Sequence, residues 1–322
     1  MLDQTLRPKA RHKLRPARIF IDGEAGTTGL QIRDRLAEAA GIELLSISEA
    51  KRKDATAKRD VLEQADIVIL CLPDVAARES VALVDAMSGS GPRIIDASTA
   101  HRTAPGWVYG FPEMAKGQAD AIRTARRVAN PGCYSTGVIA LIRPLVEAKL
   151  VPPDHPVTIN AVSGYSGGGK SMIAGHEGGT APSFELYGLG FDHKHLPEIQ
   201  AHSGLTRRPI FVPSVGDFRQ GMLVSVPLHL DMLPGKPSAA DLESALTLHY
   251  GKGGQVRVVA ADPANSFSRL EAQSLNGTNL LEIRVAGSQS HPVAVLIAKL
   301  DNLGKGASGA AVQSMNLMLG RA

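Results

Sequence analysis

Cys133 has the most distinctive chemical setting among the residues of this 322-residue sequence, which contains two cysteines. Cys71 lies in the apolar run 67–72, which is typical of a small buried side chain. Cys133 instead follows the turn-forming run Asn130-Pro131-Gly132, and the pattern of 136–149 predicts a helix just after it. Because a helix N-terminus stabilises a thiolate, we expect a lowered pKa for this thiol. The sequence therefore predicts that Cys133 is a catalytic nucleophile.

A thiol nucleophile needs a nearby group that takes its proton. His193 and His195 lie in one short segment, and Glu198 follows them. A histidine near its ordinary pKa can accept a thiol proton and pass it to a developing alkoxide. We expect Glu198 to hold the imidazole in the required tautomer. The sequence does not choose between the two histidines, and this pair without matching ligands elsewhere is a weak metal set, so we expect no metal.

Four further polar residues are candidates for binding an anionic substrate. Arg102 ends the run 96–102 after a predicted strand, and a guanidinium there can fork onto a phosphate or carboxylate. Ser163 and Lys170 bound a glycine-rich run after a strand of the second half, and Asn130 precedes the thiol turn. The run 163–170 lacks the spacing of a Walker P-loop, but it could present N–H groups and a cation to an anion.

A glycine-rich turn joins the first predicted strand to the first predicted helix. Glycines there let backbone N–H groups approach a phosphate, and the helix N-terminus adds a favourable dipole. The spacing is GxxGxxG, so the position after the first strand, more than the motif itself, predicts a dinucleotide site. The candidate residues of this turn are Gly23, Gly26, Thr27, Thr28 and Gly29.

The end of the second predicted strand indicates which dinucleotide binds. It carries Ser48 and Arg52 among neighbouring lysines, with no clear acidic residue at the ribose-binding point. These groups could neutralise a 2′-phosphate, which favours NADP over NAD, although a solvated basic loop explains any single cation nearly as well. Pro73 and Ser98, which follow the next two strands, complete the cofactor candidates within this half.

The strands of the two halves differ in pattern. In the first half, continuous apolar strands alternate with helices, which predicts a doubly wound, Rossmann-type parallel sheet in an α/β domain. In the second half, period-two alternation predicts a mostly antiparallel sheet in an α+β domain. The apolar strands are predicted at 17–22, 42–47, 67–72 and 93–96, the alternating ones at 157–161, 222–230 and 281–285, and helices at 28–39, 75–87 and 306–319.

Composition excludes several classes of protein. The formal net charge is +4, and the cations concentrate in residues 1–17, which we predict to be a disordered basic tail. No basic face with interleaved aromatics indicates nucleic acid, and no apolar run is long enough to span a membrane or form a signal peptide. We therefore expect a cytoplasmic protein. The exposed face of the second sheet must be covered, which predicts a homodimer or homotetramer.

Five runs in order carry a family resemblance. From residue 18 onward the sequence resembles the short type of N-acetyl-γ-glutamyl-phosphate reductase, which is related to aspartate-semialdehyde dehydrogenase. The matching runs are Phe20–Gly29, Asp96–Arg102, Asn130–Tyr134, His193–Glu198 and Asp301–Ala307.

The resemblance implies an activity in arginine biosynthesis. Cys133 would attack N-acetyl-γ-glutamyl phosphate, phosphate would leave, and the resulting thioester would be reduced by NADPH to N-acetylglutamate semialdehyde, reversibly. Arg102 would hold the phosphate, and Asn302 would lie near the nicotinamide. The last helix would return to the cofactor domain, which would then comprise 18–132 and 301–322, with a substrate and dimerisation domain at 133–300.

Three other interpretations compete with this one. An aspartate-semialdehyde-type enzyme is disfavoured because its catalytic histidine belongs to a later Gly-His-Ser element, whereas the comparable stretch 212–221 contains no histidine. A second interpretation is an NADP-binding sensor without catalysis, which would not require the thiol of Cys133. A structural interaction protein is disfavoured because the polar motifs cluster at strand ends, where α/β folds bind ligands.

Overall fold

The computed structural model describes residues 15–51, 54–87, 89, 91–260 and 269–321. Most of the predicted basic tail, residues 1–14, lies outside the described residues. Arg15 is described and pairs with Asp66, with 2.6 Å between Nη2 and Oδ1. In the described ranges, no helix combines the length and apolar character needed to cross a membrane.

The first half forms a wholly parallel sheet, as its apolar strands predicted. The strands lie in the order β2-β1-β3-β4-β6-β5. The helix α1 begins one residue before the predicted start and ends three residues before the predicted end. The elements are β1 Ala17–Asp22, α1 Thr27–Leu36, β2 Ile42–Leu45, α2 Ala55–Gln64, β3 Ile67–Leu70, α3 Asp74–Asp85, β4 Arg93–Asp96, β5 Val108–Tyr109, α4 Gln118–Thr124 and β6 Arg127–Ala129.

The two faces of this sheet bury separate apolar clusters. Ile19 and Ile69 lie in one cluster with residues of α1 and α4, whereas Phe20 and Val68 lie in the other with residues of α2 and α3. Successive strand residues point to opposite faces, so a strand covered on both faces must be apolar throughout. This is why the strands read as continuous apolar runs.

The second half forms a mixed sheet in the order β11-β12-β13-β10-β7-β9-β8. The pairs β11–β12 and β7–β9 are parallel, and the other four pairs are antiparallel, which confirms a mostly antiparallel sheet. The elements are α5 Cys133–Glu147, β7 Thr158–Gly164, α6 Lys170–Glu177, β8 Phe184–Leu186, α7 Leu196–Ser203, β9 Ile210–Gly216, β10 Met222–His229, α8 Ala239–Tyr250, β11 Val256–Val258, β12 Leu281–Gly287, β13 Val293–Leu300 and α9 Gly309–Met318.

One face of this second sheet is covered by helix α5. In β10, Met222, Val224, Val226 and Leu228 are buried, and the alternate residues are more exposed, as the period-two pattern predicted. Gly137 of α5 lies so near Val224 that a Cβ would come within 2.8 Å of Val224 Cγ2. The first turns of α5 therefore pack closely on the second sheet.

The last helix returns to the first sheet. Ala311 and Met315 of α9 are buried in the same cluster as Ile19 and Ile69. Arg93 of β4 donates a hydrogen bond from Nη1 to the Met318 carbonyl at 2.6 Å. The predicted helix at 306–319 is divided, since a π-helical turn, Gly304–Ser308, precedes α9.

Candidate active site

A cleft of about 270 Å³, open to solvent, lies where the two halves of the chain meet. It gathers residues that are far apart in the sequence at the start of α1, at the start of α5 and beside α7. The predicted site residues among its lining are Thr27, Thr28, Arg102, Asn130, Cys133, Ser163, His193, His195 and Asn302.

Cys133 is the first residue of α5, three residues before the predicted start of that helix. Gly132 precedes it as the N-cap, with an ordinary extended backbone at φ −75°. Gly306 of the π-helical turn packs so closely that a Cβ there would lie 2.8 Å from Cys133 Cβ. The thiol is thus fixed between the start of α5 and the turn that leads into the last helix.

The pKa of Cys133 does not follow the sequence-based expectation. Burial raises the pKa of this thiol, and this effect outweighs the Tyr134 N–H group and the cations Arg102 and Lys194, which lower it. The predicted lowering was wrong because it considered the helix N-terminus and not the desolvation of the thiolate. Cys133 therefore needs a base that takes its proton before it can attack.

His195 lies directly against the thiol turn. A Cβ at Gly132 would meet its Nε2 at 2.5 Å, so this imidazole contacts the residue that precedes Cys133. The ring is 4% exposed, and its Nδ1 has no hydrogen-bond partner among the described residues. Burial, with help from the charge on Arg102, lowers the pKa of His195 well below the ordinary value. This shift favours the neutral form of the ring, whose Nδ1, unpaired in the described part of the chain, is free of the neighbouring side chains.

His193 has a different set of contacts. Its Nδ1 accepts a hydrogen bond from the His195 backbone N–H at 3.1 Å, and its Nε2 lies 3.4 Å from the Tyr187 hydroxyl. Burial and the neighbouring Lys194 lower its pKa to about 4. Both ring nitrogens of His193 are therefore engaged by groups other than the thiol.

Glu198 holds a cation and the thiol turn, not the imidazole. Its side chain is completely buried and accepts hydrogen bonds from Arg102 Nη1 at 2.6 Å, the Tyr109 hydroxyl at 2.7 Å and the Gly132 N–H at 3.1 Å. The nearest approach to His195 is 3.9 Å, between Oε1 and Nε2, which is too long for a hydrogen bond. The expected contact between Glu198 and the imidazole is not made.

Two other candidates, Asn302 and Asn130, form part of the cleft wall. Asn302 accepts a hydrogen bond from the Gly221 N–H at 2.8 Å and donates to Ser166 Oγ at 3.0 Å. Asn130 donates from Nδ2 to the Ala307 carbonyl at 3.0 Å, and its buried Oδ1 has no partner among the described residues. The Asn130 bond ties the strand end before Cys133 to the π-helical turn after β13.

The glycine-rich turn fits close approach of a phosphate. Gly23 has φ +91°, a region that favours glycine, and a Cβ there would overlap the Cys71 carbonyl. A Cβ at Gly29 would overlap the Gly23 carbonyl, and Gly26 is the N-cap of α1 with no side-chain cap. Thr27 and Thr28 begin α1 and line the cleft. The turn leaves backbone N–H groups at a helix N-terminus accessible, which suits a dinucleotide.

The other cofactor candidates lie elsewhere. Ser48 is exposed in the turn after β2, and Arg52 lies outside the described residues. Pro73 is the exposed N-cap residue of α3, and the Ser98 hydroxyl donates to Asp96 Oδ2 at 2.7 Å. Lys170, predicted to bind substrate, is not among the residues that line the thiol cleft; it lines an adjoining hollow.

The sequence reasoning missed three residues around the thiol. Lys194 lines the cleft and lowers the pKa of Cys133, and its position between the two histidines was an available signal. The hydroxyl groups of Tyr134 and Tyr187 lie 3.3 Å apart beside His193. Tyr187 precedes the histidine segment without a recognisable motif, so no local pattern indicated it.

No group of three or more histidine, cysteine or carboxylate side chains in the described ranges is arranged to hold a metal ion.

Comparison with protein families divides the chain at the thiol. Residues 18–124 match the semialdehyde dehydrogenase NAD binding domain, and residues 133–302 match the semialdehyde dehydrogenase dimerisation domain. The second match therefore begins at Cys133, the residue that starts α5.

Solved structures show the same architecture. Aspartate semialdehyde dehydrogenase II from Vibrio cholerae, solved with ASA, matches with a TM-score of 0.71 at 15% identity, over 95% of this chain and 99% of that one. The aspartate semialdehyde dehydrogenase from Candida albicans, solved with NADP, matches with a TM-score of 0.62 at 12% identity, over 95% and 99% of the two chains. At these identities the likeness establishes the fold alone.

Curated relatives are much closer in sequence. The N-acetyl-gamma-glutamyl-phosphate reductases of Brucella ovis and Brucella canis are each 54% identical to this chain over 309 residues, which is 94% of this chain and 99% of each relative. This agreement confirms the resemblance carried by the five motifs. The chain belongs to the N-acetyl-γ-glutamyl-phosphate reductase family, within the semialdehyde dehydrogenases.

Proposed function

We propose that this protein reduces N-acetyl-γ-glutamyl phosphate to N-acetyl-L-glutamate 5-semialdehyde with NADPH, in arginine biosynthesis. The main support for the proposal is that Cys133, at the start of α5, lines the same cleft as the end of the glycine-rich turn, Thr27 and Thr28. The names of relatives at 54% identity supply the substrate.

The chain's own residues support a thioester route. Cys133 Sγ would attack the acyl carbon, the acyl–phosphate bond would break, and inorganic phosphate would leave. Arg102, whose side chain is 9% exposed and held by Glu198, would offer its remaining N–H groups to the phosphate. The thiol proton must be accepted, because burial raises the pKa of Cys133.

We propose His195 as the group that accepts this proton. Its Nε2 lies against Gly132, whereas both nitrogens of His193 are engaged by His195 N–H and Tyr187. The proton held on His195 would return to the thiolate when the aldehyde leaves. Glu198 would act as a positioning residue that keeps Arg102 and the thiol turn in place.

The cofactor site fits NADP(H) on the geometry of the turn. Glycines at 23 and 29 leave no room for a Cβ, and Thr27 starts a helix whose N-terminus has no side-chain cap. NADPH, when bound, supplies a hydride to the thioester carbonyl. Asn302, held by Gly221 and Ser166, would line the nicotinamide end of the cleft.

The reverse reaction provides the test. Purified protein should form NADPH, followed by its absorbance, from N-acetylglutamate semialdehyde and NADP only when phosphate is added. Cys133→Ser should abolish turnover while NADP binding survives, and Cys71→Ala serves as the matched control that keeps turnover. Activity with aspartate semialdehyde alone would refute the substrate assignment, and a fully active Cys133→Ser would refute the nucleophile.

The two histidines can be separated by paired variants. His195→Asn should lower kcat by about 100-fold or more, since it removes the proton acceptor. His193→Asn should retain most of kcat, because its nitrogens contact Tyr187 and the backbone. The opposite ranking would assign the proton transfer to His193.

We further propose that residues 301–322 belong with 18–132 as the cofactor domain, since α9 packs into the first sheet. The match to a dimerisation domain, together with exposed Phe184, Leu186 and Ile210, supports a homodimer or homotetramer through the second sheet. The two unpaired cysteines support a cytoplasmic location.

A further inference from the structure

Lys170 lies outside the thiol cleft, in an adjoining hollow of about 300 Å³. The walls of this hollow include Gly26, Thr27 and Thr28 of the glycine-rich turn. Cys133 is not among the described residues that line it, and neither are the two histidines. The position of Lys170 therefore relates it to the cofactor turn and not to the reacting thiol.

The other described residues that line the hollow are uncharged. Besides Lys170 and Gly169 from the second domain, the walls are completed by Cys71, Leu72 and Ala97 at strand ends of the first sheet. Burial raises the pKa of Cys71 to about 12, so this thiol is neutral. Lys170 is the sole charged side chain among the described residues that line the hollow. An anion there would thus meet one ammonium group and the start of α1.

The helix that carries Lys170 is anchored at its opposite end. His176 Nδ1 lies 3.0 Å from Asp217 Oδ1, and its ring stacks on Tyr165 with 4.6 Å between centroids. Glu177 pairs with Arg219. These contacts hold α6 so that its first residue lies at the edge of the hollow. Lys170 itself is exposed, and in the part of the chain that the structure describes no carboxylate pairs with it.

We propose that Lys170 binds the pyrophosphate of the dinucleotide across the domain boundary and does not contact the acyl-phosphate substrate. The inference rests on the proposed function and deepens it. A pyrophosphate at the N-terminus of α1 would reach this hollow, since Thr27 and Thr28 line both it and the cleft. The 2′-phosphate would lie near the turn after β2, where Ser48 is exposed and outside the hollow.

The test uses Lys170→Met, Lys170→Gln and the charge-conserving Lys170→Arg in the full chain. Lys116→Met is the matched control, because Lys116 is an exposed lysine that lines neither the thiol cleft nor the hollow. Dissociation constants for NADPH and NADH would be measured by nucleotide fluorescence. Steady-state kinetics would give KM for the acyl phosphate and kcat at saturating NADPH.

Both neutral variants should weaken the binding of NADPH and the binding of NADH by the same factor, roughly tenfold, because both nucleotides carry the pyrophosphate. The substrate KM and kcat should stay unchanged, Lys170→Arg should recover most of the affinity, and Lys116→Met should match the wild type. Unaltered melting temperatures would show that the variants fold.

Three results would overturn the inference. Weaker binding of NADPH with unchanged binding of NADH would assign Lys170 to the 2′-phosphate. A rise in the substrate KM alone would assign Lys170 to the substrate, as the sequence predicted. No change in any of these constants would show that Lys170 is a surface cation without a role in binding. If the wild type binds NADPH but does not reduce the acyl phosphate, the proposed function fails, while the nucleotide affinities still decide the role of Lys170.

Discussion

Gly132→Ala should separate the geometry of the thiol turn from its chemistry. Gly132 has φ −75°, so alanine fits the backbone without strain and the added methyl group is the whole perturbation. That methyl carbon would lie 2.5 Å from both Glu198 Oε1 and His195 Nε2, and 2.6 Å from Arg102 Nη1. One atom would therefore collide with the three groups that surround the nucleophile.

The size of the effect follows from the displacement. An ordinary contact begins near 3.4 Å, so the neighbours or the turn must move by about 0.9 Å. Glu198 and His195 are buried and cannot yield into solvent. A shift of about 1 Å in a catalytic group costs about 100-fold in rate, and overpacking typically costs about 1–3 kcal/mol in stability.

The assay is phosphate-dependent NADPH formation, together with urea unfolding of the same samples. Gly254→Ala is the matched control, because a Cβ there meets nothing nearer than 3.8 Å and Gly254 is not among the residues that line the cleft. We expect a fall in kcat of about 100-fold for Gly132→Ala and none for the control. A kcat within threefold of wild type would refute the close packing inferred around Gly132.

Three more predictions concern charge, pH and assembly. Glu198→Gln removes the charge that faces buried Arg102 and should lower the free energy of unfolding by about 3 kcal/mol in urea titrations; an unchanged value would mean that the pair adds nothing. Burial lowers the pKa of His193 to about 4 in the folded chain, whereas the ordinary value of 6.5 applies in the unfolded chain. As the pH falls from 6.5 to about 4, the unfolded chain therefore binds this proton first, and the free energy of unfolding should decrease. His193→Asn should make the decline shallower in unfolding measured at pH 5 and 7, and an equal slope would contradict this. Phe184, which is 57% exposed, lies on the second sheet, so Phe184→Asp should lower the molar mass measured by light scattering. An unchanged molar mass would show that the second sheet is not the interface.

The sequence predicts the central strands of the first sheet well because β3 and β4 are buried on both faces. Ile67–Leu70 is apolar at every position, and the structure buries all four residues. The strand β2 ends at Leu45, two residues before the predicted end, and its burial pattern is only intermediate. The central strand β3 also ends two residues before its predicted end, at Leu70, so an apolar run locates a strand more closely than it locates the last residue of that strand.

The site was predictable where its contacts are local. Pro131 and Gly132 indicate a turn and Cys133 starts a helix, all within a few residues. The partners of Glu198, by contrast, come from positions 102, 109 and 132, and no periodicity relates such distant side chains. The direction of the Cys133 pKa shift also depends on burial by residues distant in the sequence, which a local motif does not encode.

The return of α9 to the first sheet has a consequence for synthesis of the chain. Domains emerging from a ribosome generally fold as units in order from the N-terminus. Here the first sheet lacks the cover provided by Ala311 and Met315 until the entire second half has been translated. A nascent chain that stops after β13 would carry an exposed apolar face on its nucleotide domain. The first sheet should therefore gain its last cover only after the second half of the chain has been made.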